Sequence, residues 1–118
     1  MQNIKPIILF YIDHALFDTV KFKASSLTDY CLYDEVSETL NNLSKIADLG
    51  IFSQGEAKFQ KTKLKNTDIE TFFKECNIHI TIDKNLDLEK VLLKYKDRKV
   101  ILVDDKLDIL FSAKKLMP

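Results

Sequence analysis

The sequence predicts an α/β fold, in which a parallel sheet of four to five strands lies between helices on both faces. Short apolar segments alternate four times with segments whose apolar residues recur at helical spacing. The intervening segments are long enough for helical crossovers, which join parallel strands with right-handed geometry. The 118 residues suit one domain with a modest core, so we expect a single domain over residues 1–118.

The first half of the chain contains two predicted strands and one predicted helix. Residues 4–12 form a nearly continuous apolar run, which is typical of a strand buried on both faces. Residues 13–33 are predicted to be irregular. Asp34 is predicted to cap a helix, because apolar residues recur at helical spacing after it. Residues 48–50 are predicted to end that helix, and residues 51–53 to form a short strand.

The middle of the chain is rich in lysine. Residues 56–65 are predicted to form a helix with Phe59 and Leu64 facing inward and with a solvated lysine face. Asp68 is predicted to cap a short helix that continues through Cys76.

The last part of the chain contains two further strands. Isoleucines alternate over residues 78–82, which indicates a third strand. Asp87 is predicted to begin a helix, and residues 99–103 are predicted to be the fourth strand. An amphipathic helix is predicted over residues 107–116. A three-layer sheet of this type often has a fifth strand next, but the chain ends at Pro118 directly after the helix. We therefore expect a trimmed domain or a truncated gene.

Composition limits the possible partners. Hydrophobic residues make up 46% and charged residues 31% of the chain, as in ordinary soluble proteins. The formal net charge is zero, which offers no bulk electrostatic argument for nucleic acid or an anionic membrane. Two distant cysteines form neither a zinc motif nor a disulfide framework, and no signal peptide or membrane span is recognisable. We therefore expect a cytoplasmic protein without a nucleic-acid or membrane partner.

The segment 7–19, Ile-Ile-Leu-Phe-Tyr-Ile-Asp-His-Ala-Leu-Phe-Asp-Thr, joins the first strand to an acidic turn. Open parallel sheets carry their chemistry at this carboxyl end of the strands. The segment resembles the first motif of the haloacid dehalogenase (HAD) superfamily, a hydrophobic strand followed by Asp-x-Asp-x-Thr-Leu-x-Asp-Thr. Tyr11 stands in the place of the first aspartate, which is the nucleophile of that family.

Three further segments are similar to HAD motifs in order and spacing. Ser53 ends the second strand where the family has Ser or Thr, and Lys84 follows the third strand. Val-Asp-Asp-Lys-Leu-Asp at 103–108 follows the fourth strand. Each motif is weak alone, but four in register over essentially the whole chain form a fairly specific signal. The resemblance implies a three-layer, Rossmann-like HAD fold. The segment after Asp18 is too short for a large cap domain.

The resemblance implies a role for each matched position. In this family a carboxylate attacks phosphorus, and a second carboxylate two residues later protonates the leaving group and then activates water. Asp13 matches that general acid and base, and Tyr11 occupies the nucleophile position. Ser53 matches the phosphate-binding hydroxyl, and Lys84 matches the charge-stabilising lysine.

The resemblance also implies a Mg²⁺ site, with a carbonyl ligand at Asp13 and acidic ligands from Asp104, Asp105 and Asp108. Two registers stay open. Aligning the downstream Ala-Lys-Lys makes Asp105 the main ligand, whereas aligning Asp104 places a second acid four residues later, at Asp108. Metal binding is expected to be weakened, because Tyr11 supplies no carboxylate.

The departures from the motifs predict impaired catalysis. Tyr11 cannot form an acyl phosphate, its phenol stays largely protonated at neutral pH, and its ring is bulky where a phosphate would lie. Loss of a covalent nucleophile commonly removes several powers of ten in rate. Ala15 replaces the threonine of the motif, and Asn85 follows Lys84 where proline is frequent. We therefore expect a Mg-dependent phosphohydrolase-family domain with impaired catalysis, a pseudoenzyme.

Other interpretations remain open. A non-catalytic module could recognise a phosphorylated small molecule or a phosphoprotein, and Tyr11 supports this directly. The segment 99–105 also resembles the opening of a response-regulator receiver domain, but here the motif belongs to the last predicted strand, so we expect no phosphoacceptor after it. Tyr11 is also a favourable strand residue, and Asp104 with Asp105 could cap a helix.

Overall fold

The structure, a computed structural model, describes residues 5–103 of the chain. Its four strands form one sheet in the order β3-β2-β1-β4, and every neighbouring pair is parallel. The strands are β1 (Ile7–Phe10), β2 (Asp48–Gln54), β3 (Ile78–Thr81) and β4 (Val100–Val103). The predicted parallel α/β fold is therefore confirmed.

Helices cover both faces of this sheet because the side chains of β1 alternate between two apolar clusters. Ile8 and Phe10 belong to one cluster, and Ile7 and Leu9 to the other. The helices are α1 (Thr19–Ala24), α2 (Val36–Leu43), α3 (Ala57–Asn66) and α4 (Lys84–Lys94). Buried side chains of α1, α2 and α3 join the first cluster, and those of α4 join the second. The result is the predicted arrangement of three layers.

The second strand is longer than the sequence predicts. Residues 48–50 belong to β2 and do not simply end the preceding helix. Glycine is needed there for space, because a Cβ atom on Gly50 would lie 2.7 Å from the Asn77 carbonyl oxygen and 2.8 Å from Leu9 Cδ2. The glycine therefore marks a close approach of β2 to β1 and to the 3₁₀ turn that precedes β3.

Several helix boundaries also differ from the predictions. Helix α1 lies inside the segment predicted to be irregular. Glu35, with φ 69°, takes the N-cap position of α2 and makes no side-chain cap bond there. The segment after Asp68 forms two short 3₁₀ turns, Glu70–Phe72 and Glu75–Asn77, and Asp68 itself has φ 60° and caps neither of them.

Helix α4 begins at Lys84 and not at Asp87. The side chain of Asp83 accepts hydrogen bonds from the backbone N–H groups of Asn85 and Leu86, at 3.0 and 3.3 Å. This cap begins the helix immediately after β3, which places Lys84 at the carboxyl edge of the sheet. The helix predicted for residues 107–116 lies outside the described residues. Within residues 5–103, no helix is long and apolar enough to cross a membrane.

Candidate functional site

The site lies where the strand order reverses. The chain runs outward from β1 through β2 to β3, and then returns to place β4 on the other side of β1. Phe10, the last residue of β1, pairs with Ile51 on one side and with Val103 on the other. The Tyr11 N–H continues this pairing with a 2.8 Å bond to the Val103 carbonyl oxygen. Ligands of open α/β sheets bind in the crevice beside such a switch point.

Tyr11 lies buried in this crevice against Lys84. The Lys84 ammonium is 4.5 Å from the centroid of the Tyr11 ring and 4.8 Å from that of Phe52. Lys84 is only 1% exposed. Its backbone N–H donates to Gln54 Oε1 at 3.1 Å, which ties the start of α4 to the end of β2. The fold thus brings the predicted lysine to the predicted nucleophile position.

Asp13 follows β1 by three residues, and both of its carboxylate oxygens are bonded. The Lys63 ammonium donates to Oδ1 at 2.6 Å, and the Thr19 hydroxyl donates to the same oxygen at 2.9 Å. The Gln60 amide donates to Oδ2 at 3.3 Å. Lys63 and Gln60 both belong to α3, so this helix supplies two of the three partners.

Gln60 also links Asp13 to Ser53. The hydroxyl of Ser53 donates to Gln60 Oε1 at 3.3 Å and accepts the Ile12 N–H at 3.4 Å. Ser53 is fully buried in β2. The two predicted site residues are therefore parts of one polar network that runs from β2 through α3 to the turn after β1.

The pKa of Asp13 is lowered from its ordinary value of 3.8. Burial acts to raise that pKa, but the hydrogen bond and the charge of Lys63, with the hydrogen bonds of Thr19 and Gln60, outweigh it. Asp13 is therefore ionised in this arrangement at neutral pH.

Lys63 itself lies inside an aromatic cluster. Its ammonium lies 4.6 Å from the centroid of the Phe59 ring, 5.2 Å from that of Phe17 and 5.9 Å from that of Phe22. The side chain of Lys63 is 4% exposed, and that of Asp13 is 14% exposed. The prediction that the lysines of α3 face solvent is therefore wrong for Lys63, which is buried. Phe59, which was predicted to face inward, is 38% exposed.

A cavity of about 360 Å³ opens beside this network. Its lining combines polar and apolar side chains, among them Tyr11, Asp13, Thr19, Phe59, Gln60 and Lys63. Sequence reasoning missed Gln60 and Lys63 as site residues. Their spacing of three places both on one face of a helix, but in a lysine-rich segment this signal is indistinguishable from a solvated face.

The described residues do not by themselves fit a Mg²⁺ ion. Residues 5–103 hold no group of three or more His, Cys, Asp or Glu side chains that could hold a metal. The Asp13 carboxylate is paired with Lys63, and Tyr11 offers no carboxylate. The predicted ligands Asp104, Asp105 and Asp108 lie outside the described residues.

No family model matches the chain, and no curated protein matches its sequence. Solved structures do match its fold. A protein of Burkholderia xenovorans LB400, named as a haloacid dehalogenase-like hydrolase, superposes with a TM-score of 0.79 at 20% identity, over 96% of this chain and 78% of its own.

Two other solved structures match in the same way. A haloacid dehalogenase-like family hydrolase of Streptococcus pneumoniae gives a TM-score of 0.72 at 16% identity, over 98% of this chain and 82% of its own. The HAD-hydrolase YfnB of Bacillus subtilis, in a structure with bound magnesium, gives a TM-score of 0.71 at 12% identity, over 98% of this chain and 86% of its own. At these identities the likeness concerns the fold alone. The chain therefore has the fold of the haloacid dehalogenase-like hydrolases.

Proposed function

We propose that this chain is a HAD-like phosphohydrolase-family domain whose catalysis is impaired because Tyr11 replaces the nucleophilic aspartate. The observation that carries the proposal is the burial of Tyr11 at the end of β1, with the Lys84 ammonium 4.5 Å from its ring centroid. A buried phenol beside a cation occupies the place that the attacking carboxylate would need. The residue cannot form the labile acyl phosphate on which this chemistry depends.

The surrounding groups support a phosphate-handling ancestry. Ser53 provides a buried hydroxyl, and Lys84 provides a buried ammonium at the same edge of the sheet. These groups suit the oxygens of a phosphoryl group, because a cation and a hydroxyl donor both stabilise negative charge. Asp13 stands two residues after Tyr11, which is the spacing of the acid and base in the family. These groups support the proposal of a site for phosphoryl transfer that lacks its nucleophile.

Hydrolysis of a generic aryl phosphate in the presence of Mg²⁺ tests this proposal. The native protein is expected to turn over slowly or not at all. Tyr11→Asp is expected to raise the rate at least ~tenfold, because it restores the carboxylate. Tyr11→Phe is the matched control and should stay as inactive as the native protein. Brisk native turnover that Tyr11→Phe leaves unchanged would show that position 11 is not the nucleophile position.

We also propose that Mg²⁺ binding is weakened by the same substitution. Hard divalent cations are bound through carboxylate and carbonyl oxygens, and Tyr11 removes one anionic ligand. Mg²⁺ should therefore raise the melting temperature of Tyr11→Asp more than that of the native protein. Equal shifts in the two proteins would contradict a metal-ligand role for position 11.

A second candidate function is a non-catalytic module that binds a phosphorylated small molecule or a phosphoprotein. The cavity of about 360 Å³ favours it, because Tyr11 and Lys23 are part of its lining, together with the ion pair of Lys63 and Asp13. Inorganic phosphate should then raise the melting temperature of the native protein without turnover of a phosphate ester. If phosphate causes no shift, this candidate is wrong.

A further inference from the structure

We propose that Lys63 is a clamp on Asp13, a positioning residue that turns its carboxylate toward α3 and is a second obstacle to catalysis. The inference deepens the proposed function and rests on it, since it assumes that Asp13 is the acid and base of an impaired site. Lys63 lies 50 residues from Asp13 in sequence, and its ammonium is 2.6 Å from Oδ1.

The clamp leaves neither oxygen of Asp13 without a protein partner. Oδ1 accepts from both Lys63 and Thr19, and Oδ2 accepts from Gln60. A general acid must come within hydrogen-bond reach of the leaving group, either directly or through one water. Asp13 would have to turn away from α3 to do so, and each turn would break at least one bond of this network.

The surroundings of Lys63 oppose its separation from Asp13. Its side chain is 4% exposed, and three aromatic rings lie within 5.9 Å of its ammonium. Separation of Asp13 from Lys63 would leave a buried ammonium without its carboxylate, which is strongly unfavourable. The aromatic rings offset only part of this loss, because each cation–π contact is weaker than a buried ion pair.

The helix that carries Lys63 is itself anchored. The Glu56 side chain caps α3 by accepting the N–H groups of Lys58 and Phe59, at 3.1 and 3.0 Å. Gln60 fixes the same helix to β2 through Ser53. The ammonium of Lys63 is therefore held in place by a rigid element rather than by a loop.

The clamp is tested in a Tyr11→Asp background, where a nucleophile is present. Lys63→Met is the informative change, because methionine keeps an unbranched apolar chain among the aromatic rings and removes the charge. Relative to Tyr11→Asp, the double variant should show kcat for an aryl phosphate raised at least ~tenfold, with KM changed less than ~threefold. Lys63→Gln provides the same comparison if the methionine variant does not fold.

Two controls separate the clamp from a structural effect. Lys63→Arg keeps a positive charge opposite Asp13, so it should raise kcat less than Lys63→Met does. Lys61→Met removes a neighbouring lysine of α3 whose partner is Glu75 at the surface, and it should not change kcat. A rise in kcat with Lys61→Met, or a rise with Lys63→Arg as large as that with Lys63→Met, would contradict the clamp.

The outcomes distinguish the two proposals. Activity in Tyr11→Asp that Lys63→Met leaves unchanged or lowers overturns the clamp and leaves the proposed function intact. Activity that Tyr11→Asp gains alone and that Lys63→Met raises further supports both. Absence of activity from every variant contradicts both.

Discussion

Tyr11, the first residue after β1, pairs through its backbone and packs through its side chain. The backbone of Tyr11 continues the pairing of β1 with β4, so the frame of the site does not depend on which side chain stands there. The phenol ring packs on the ammonium of Lys84, an arrangement that stabilises a buried cation. Tyr11→Asp would place a carboxylate near the Lys84 ammonium. The contact of that ammonium with the phenol ring would then be replaced by attraction between opposite charges.

Asp13 should make the stability of the fold depend on pH. Its folded pKa is lowered below 3.8, so its contribution to stability is present above that value and is lost as the pH falls through the folded pKa. The free energy of unfolding of the native protein should therefore decrease as the solution becomes acidic. Asp13→Asn should show a shallower fall, although it is less stable at neutral pH because Lys63 loses its partner.

Urea unfolding at a series of values from about pH 6 to pH 2 measures this dependence. The comparison uses the slope against pH and not the absolute stability, since other carboxylates titrate in both proteins. Equal slopes for the native protein and Asp13→Asn would show that Asp13 does not carry the stabilising interactions assigned to it.

The resemblance predicted site positions that the structure describes at four places, but it could not predict the side chains that contact them. Tyr11, Asp13, Ser53 and Lys84 stand at strand ends, where sequence order alone places them at one edge of a parallel sheet. Lys63 comes from the middle of a helix and meets Asp13 only through the packing of α3. Periodicity specifies which residues share a helix face, but not which face meets the end of β1.

Helix α4 depends on its cap. Asp83 bonds two N–H groups of the first turn, so Asp83→Ala should lower the free energy of unfolding by about 1 kcal/mol. Glu89→Ala is the matched control, because it removes an exposed carboxylate from the middle of the same helix. Thermal or urea unfolding compares the two variants, and equal effects would contradict the capping role.

The cap bears on the site because it sets where Lys84 lies. Sequence reasoning began the helix at Asp87, since apolar residues at helical spacing follow it. The structure begins it one turn earlier, because Asp83 satisfies the first N–H groups and Gln54 accepts the N–H of Lys84. The bond to Gln54 depends on the tertiary structure, so local pattern could not reveal it.

The sheet separates two apolar clusters, one on each of its faces. Alternation of strands and helices predicted this architecture, because it follows from chain order and crossover length. The close approach at Gly50 was not predictable, since it depends on Asn77 and Leu9 in neighbouring strands or turns. A glycine beside a helix end carries the same local signal whether it breaks the helix or makes space in a strand.

Because both clusters share one sheet, a cavity in either should destabilise the whole domain. Leu9 is 1% exposed in the cluster under α4, so Leu9→Ala should lower the free energy of unfolding by about 3 kcal/mol. Leu86, 80% exposed on α4, provides the control, and Leu86→Ala should have little effect. Circular dichroism and fluorescence should report one shared transition, whereas separate transitions would indicate that the layers unfold independently.

The most direct measurement is the mass of the protein after brief reaction with an aryl phosphate and Mg²⁺, followed by an acid quench. Tyr11→Asp should gain one phosphoryl group on residue 11, removable by hydroxylamine as expected for an acyl phosphate, and the native protein should gain none. A phosphoryl group on another residue of Tyr11→Asp, or on the native protein, would contradict the assignment of position 11.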